Sequence, residues 1–137
     1  RLAPTLRLSG EVARGEALNS EGVTGKAVWG KRARWVAYWG PLTTETGAEA
    51  VCVAILDHPS NPRHPTWWHA RDYGLFAANP FGAHDFEGAP EGTGDLHLER
   101  GERLELRYRL WIRAGAADAA ELERAFAAYA ATDGSVR

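Results

Sequence analysis

The chain contains no methionine, not even an initiator, and only one cysteine, Cys52. A single cysteine cannot close an intramolecular disulfide, so no disulfide framework organises this fold and the redox compartment stays open. Cys52 lies inside the apolar run Ala50 to Leu56 and reads as a small buried hydrophobe rather than a reactive thiol. That run is also the longest uninterrupted apolar stretch, far below the ~20 residues of a membrane-spanning helix, so no membrane partner is expected. The opening RLAPTLRLSG has no apolar signal-peptide region. A strong charge of one sign is missing too: the formal net charge is -2, which offers nucleic acid no basic field. Lys31, Arg32 and Arg34 do cluster, but on a strand they divide between its two faces. The missing methionine points to a processed N-terminus or to a piece of a longer product.

Several chemical signatures are absent as well. Ser9, Ser20, Ser60 and Ser135 sit in no nucleophile-elbow pattern, and the glycines form no phosphate loop. No His-Glu-x-x-His motif occurs, and no second cysteine is present to build a zinc knuckle.

What remains is a chain of 137 residues, 45% apolar and 25% charged, enough to bury a core without staples. Leu2, Leu6 and Leu8 alternate around Pro4, which predicts an early strand near a sheet edge. Asn19-Ser20-Glu21-Gly22 is turn chemistry. AVWGKRARWVAYWGP predicts a strand with Trp29, Trp35 and Trp39 on one face, most simply as core. Pro41 to Glu49 reads as a hairpin loop and Ala50 to Leu56 as a buried strand. Asp57 to Arg71 reads mostly as loop, Gly74 to Ala78 as a strand, and Phe81 to Gly94 as a second long loop. Leu104, Leu106, Tyr108, Leu110 and Ile112 alternate with Glu105, Arg107, Arg109, Trp111 and Arg113, which predicts a half-buried strand whose arginine face is solvated. Near the end the period changes: Leu122, Ala125, Phe126 and Tyr129 predict an amphipathic helix, with Asp118 and Glu121 at capping-box spacing. Strand runs without βαβ units give a mostly-β class, an antiparallel β-sandwich with long loops and one C-terminal α-helix.

Chemistry concentrates in DHPSNPRHPTWWHARDYGLFAANPFG, Asp57 to Gly82. His58, His64 and His69 raise the question of a metal, yet their spacing matches no compact ligand pattern, so no metal ligands and no cofactor are assigned. Trp67 and Trp68 are adjacent in extended chain and face opposite ways, one toward core and one toward a site. A tryptophan plane stacks on the apolar face of a sugar while arginines, carboxylates and amides bond its hydroxyls. On this reading His58, His69 and Asp72 are candidate catalytic residues, and His64, Trp67, Arg71 and Asn79 candidate substrate-binding residues. The simpler alternative for Arg71 and Asp72 is a local ion pair fixing the loop.

The segments NSEG at Asn19 to Gly22, WGKRARWVAYWG at Trp29 to Gly40, the Asp57 to Gly82 stretch and RGERLELRYRL near the end together resemble a bacterial family that carries the label PmoA-like methane oxygenase. The resemblance is to that family's C-terminal half. It implies a large β-sandwich of which residues 1–137 form one domain, and a soluble protein of the kind that accompanies sugar-degrading and sugar-oxidising genes. It also implies that a second histidine-rich motif of the family lies outside this chain, and that exposed sheet edges favour self-association. The leading expectation is a carbohydrate-related binding or processing domain with a small-molecule carbohydrate as partner. If it is catalytic, the chemistry is histidine- and carboxylate-assisted proton transfer, as in mutarotation, lyase or hydrolase-like reactions. A metal-dependent oxidoreductase and a non-catalytic structural or interaction module are the alternatives.

Overall fold

The computed structural model describes residues 5–7, 15–45, 47–71 and 73–132. In chain order the elements are β1 (Thr5–Arg7), β2 (Glu16–Asn19), β3 (Trp35–Thr44), β4 (Gly47–Asp57), β5 (Trp67–Ala70), β6 (Leu75–Asn79), α1 (Ala83–Glu87), β7 (Tyr108–Ala114) and α2 (Ala119–Ala130), with a 3-10 turn at Gly25–Val28. They form two antiparallel sheets, one ordered β1-β6-β5 and the other β2-β3-β4-β7. The class is therefore mostly β with a C-terminal helix, as the alternation in the sequence predicts.

Period-two alternation gives the longer sheet two buried faces. Val36, Tyr38, Val53 and Ile55 point at Trp68, Ala70, Phe76 and Ala78 of the smaller sheet, and these side chains form the inter-sheet core. Trp35, Ala37, Cys52, Ala54 and Leu56 point the other way, under Leu122, Phe126 and Tyr129 of α2. The helix starts where expected, with the Asp118 carboxylate accepting from the Glu121 N–H at 3.0 Å. Three layers result: small sheet, long sheet, helix.

Several boundaries differ from the sequence reading. The strand predicted from Trp29 begins only at Trp35, because the 3-10 turn and Gly30, at φ 70, interrupt the extended chain. Trp35 and Trp39 do share the helix-covered face, while Trp29 lies elsewhere. Pro41 to Glu49 is not a loop: β3 runs on to Thr44 and β4 starts at Gly47. Pro41 is accommodated because β2 pairs β3 only as far as Trp39, so the missing proline N–H opposes no described strand. The predicted loop Asp57 to Arg71 contains β5, and the loop Phe81 to Gly94 contains α1. Leu2, Pro4 and Leu8 lie outside the described residues, whereas the middle of that early strand appears as β1, at an edge.

The last strand starts at Tyr108, not Leu104; Tyr108 packs against the inter-sheet core and Arg109 and Arg113 are exposed, as expected, but Trp111, Leu110 and Ile112 depart from the pattern. Trp111 pairs with Ala54 and packs into the helix-side core. On the same face the Arg109 guanidinium sits 4.4 Å from the Tyr129 ring centre, and Arg113 pairs with Glu121. Leu110 and Ile112 lie on the other face at 50% and 67% exposure, because β7 is an edge strand beyond the small sheet's cover. Helix α2 thus claims the face that carries the arginines, whose stems and planes cover aromatic surface. Accordingly, Ile112→Thr should change unfolding free energy by under about 0.5 kcal/mol, whereas Trp111→Ala should cost about 2 kcal/mol, both measured by urea denaturation.

Candidate functional site

The residues singled out from the sequence fall into two groups. One is built around Asp57, the last residue of β4, whose side chain is fully buried. Its carboxylate accepts from Asn61 Nδ2 at 2.8 Å, from His64 Nδ1 at 2.8 Å and from the Thr66 N–H at 2.9 Å. Asn61 also bonds both backbone groups of Arg107, its Nδ2 donating to the carbonyl and its Oδ1 accepting from the N–H, each at 2.6 Å. The loop 58–66 is thus wrapped around one carboxylate and tied to the approach of β7. Burial pushes the Asp57 carboxyl above its ordinary value, against the pull of the Asn61, His64 and Thr66 hydrogen bonds. Tyr108, its cross-strand neighbour, has a hydroxyl buried beside Asp57 and Thr66. Burial first, and the Asp57 charge second, push that phenol well above its usual range.

Both histidines of this group face α2. His58 is buried; its Nδ1 accepts from the Ser60 N–H at 3.1 Å, so Nε2 carries the proton and donates to the Thr132 carbonyl at 3.3 Å. The ring also meets Tyr129 edge-on, at 4.9 Å between centres. These are the contacts of a structural residue that caps the end of α2. His64 stacks parallel to Phe126, with ring centres 6.1 Å apart, and its peptide bond to Pro65 is cis.

The second group lies on the outward face of the small sheet. Trp67 and His69 alternate with the core residues Trp68 and Ala70, and Trp67 is paired across the sheet with Asn79. Trp67 is nonetheless only 4% exposed: the Arg32 guanidinium covers its ring at 4.4 Å, and its indole N–H donates to Glu87 of α1. It offers no open platform. The Asn79 side chain accepts from the Phe81 N–H at 3.1 Å and shapes the turn into α1. His69 and Arg71 gather around Trp29: Arg71 stacks on its ring at 4.5 Å, His69 approaches at 6.4 Å and Phe86 at 5.1 Å, both edge-on. Arg71 Nε also reaches His69 Nε2 at 3.4 Å. The Trp29 indole N–H is buried and has no hydrogen-bond partner. Beside this cluster a cavity of about 140 Å³ is bordered by Arg71, Lys26, Glu16, Tyr38 and Ala70.

Asp72 lies outside the described residues. Among the described residues no contact joins His58 and His64 to the outward group, and no three His, Cys, Asp or Glu side chains gather to hold a metal ion. No described helix is long and apolar enough to cross a membrane. Cys52 is buried and its thiol is pushed up to about 11 by burial, offset in part by Arg113, which makes it inert at neutral pH. Sequence reasoning left out Trp29 and Phe86 as site residues. The signal was present in Gly30, which breaks the strand period just after Trp29 and lets Phe86 approach; a Cβ there would meet the Phe86 ring at 3.1 Å.

Replacing Asp57 with alanine strands three buried or half-buried donors and should cost about 3 kcal/mol or more in urea denaturation. The raised Asp57 pKa adds a pH dependence. The native state holds this proton more tightly than the unfolded chain, so the group's contribution is full below the unfolded value and falls as pH rises through the native one. The stability gap between wild type and Asp57→Ala should narrow over that acid window.

A sequence profile described as a family of unknown function (DUF6807) matches residues 3–127. No curated protein and no solved structure matches the chain.

Proposed function

Since the chain belongs to that family of unknown function, we propose its role from the geometry: a carbohydrate-related binding or processing domain whose site is the outward face of the small sheet. The observation that carries this reading is the Trp29 indole N–H, buried without a partner on a ring that Arg71 and His69 contact. A stranded buried donor costs about 1–3 kcal/mol, which an acceptor oxygen brought by a ligand recovers. Aromatic edges, a guanidinium and an imidazole around one such donor make a lining suited to a polyhydroxylated ring, and Arg71 adds bidentate binding for the carboxylate of an oxidised sugar. The resemblance to proteins that accompany sugar-oxidising genes supports the same class. Calorimetric titration with glucose, a disaccharide and gluconate tests it. Trp29→Phe, which removes the N–H and shrinks the ring, and Arg71→Ala should each weaken binding about tenfold or more, the equivalent of about 1.4 kcal/mol. Absence of binding by every sugar to the wild type would sink the reading.

A structural role is favoured for one candidate, His58, by the engagement of both its nitrogens. We also propose self-association through β7, an edge strand carrying the exposed Leu110 and Ile112. Sedimentation should show a concentration-dependent dimer that Ile112→Lys abolishes; a wild type monomeric at every concentration would refute it.

A further inference from the structure

Of the histidines in the Asp57 to Gly82 stretch, one combines a fixed ring with an open nitrogen. His58 has both nitrogens engaged, and His69 Nε2 lies against the Arg71 guanidinium. His64 is held at Nδ1 by Asp57 and on one ring face by Phe126. Its Nε2 has no hydrogen-bond partner among the described residues, and the side chain keeps 16% of its surface exposed. We propose that His64 Nε2 is the general base of a second site, taking the proton of a hydroxyl nucleophile, with Asp57 as its positioning residue.

When ionised, the Asp57 carboxyl only accepts, so Nδ1 donates and carries the ring proton, which leaves the Nε2 lone pair without a partner among the described residues. Asp57 is itself fixed by Asn61 and the Thr66 N–H, so the dyad does not depend on a mobile partner. The imidazolium that forms when Nε2 takes a proton keeps its Nδ1 2.8 Å from the Asp57 oxygen, whose negative charge balances it. The neighbouring charged and titratable groups do not compete for Nε2. Arg34 lies over Phe126 at 5.3 Å and is paired with Glu123, Arg109 lies over Tyr129, and the Tyr108 hydroxyl is enclosed near Asp57.

In the step itself the nucleophile's O–H bond breaks as its proton passes to Nε2, and its oxygen bonds to an electrophilic carbon. The leaving group departs with the bonding electron pair, and the proton returns from Nε2 to that group or to water. No oxidant or reductant takes part. The site is separate from the outward face, and the step does not require a sugar, so it stands independently of the binding reading.

The probe is 4-nitrophenyl acetate, hydrolysed by the full chain with water as nucleophile and followed as 4-nitrophenolate release. His64→Gln should bring the rate to the buffer background, and His84→Gln, which removes an exposed histidine on α1, should leave it unchanged. Asp57→Asn should lower it about tenfold or more, within the range of general-base effects. Nitrogen-15 spectra of the wild-type ring should show Nδ1 protonated and Nε2 bare, with that tautomer lost in Asp57→Asn. A wild-type rate in His64→Gln, or a wild-type spectrum with the proton on Nε2, would overturn the proposal; the second result decides even if Asp57→Asn does not fold.

Discussion

A single buried carboxylate organises the end of this molecule. Asp57 closes β4, and three donors from the following nine residues converge on it. A fully buried carboxylate is costly to desolvate unless its lone pairs are satisfied, so the loop's path follows from the need to satisfy them. Asn61 passes the constraint on to Arg107, which fixes where β7 enters the sheet. His64 then meets Phe126, and His58 meets Tyr129 and the Thr132 carbonyl, so the same loop also seats α2.

The long sheet has to serve two cores at once, and this decides which chemistry can meet. Its inward residues face the small sheet and its outward residues face the helix. Side chains on the far face of the small sheet therefore belong to another layer from those seated against α2. His69 and Arg71 join Trp29 and Phe86, while His58 and His64 join Tyr129 and Phe126. A stretch continuous in sequence supplies two distinct surfaces because it crosses from the end of one sheet into an edge strand of the other.

The sequence was most readable where hydrophobic periodicity acts alone. Ala50 to Leu56 appears as a buried strand, and Leu122, Phe126 and Tyr129 appear as the buried stripe of α2. The pairing of Trp67 and Trp68 on opposite faces followed from strand geometry alone. It failed where a tertiary neighbour reverses the meaning of a pattern. Arg109 and Arg113 are exposed as their composition suggests, yet Trp111 between them is half-buried under α2, and nothing within the strand says so. The organising role of Asp57 was not legible, since its partners Asn61, His64 and Thr66 become a set only once the loop is closed. Trp29 was assigned to core by its spacing from Trp35, a spacing that a turn and one glycine had already broken.

Arg63 couples the two long loops. It is the non-glycine residue among those described that adopts a left-handed backbone, at φ 63, a conformation that needs support from its surroundings. Its guanidinium supplies that support by donating to the carbonyls of Pro80, Gly94 and Asp95, with the Phe81 ring 5.7 Å away. The loop that carries His64 and the loop that follows β6 are thereby bolted through one side chain. Neither can swing out without breaking the other's anchor, which makes them one cooperative opening unit rather than two independently breathing segments.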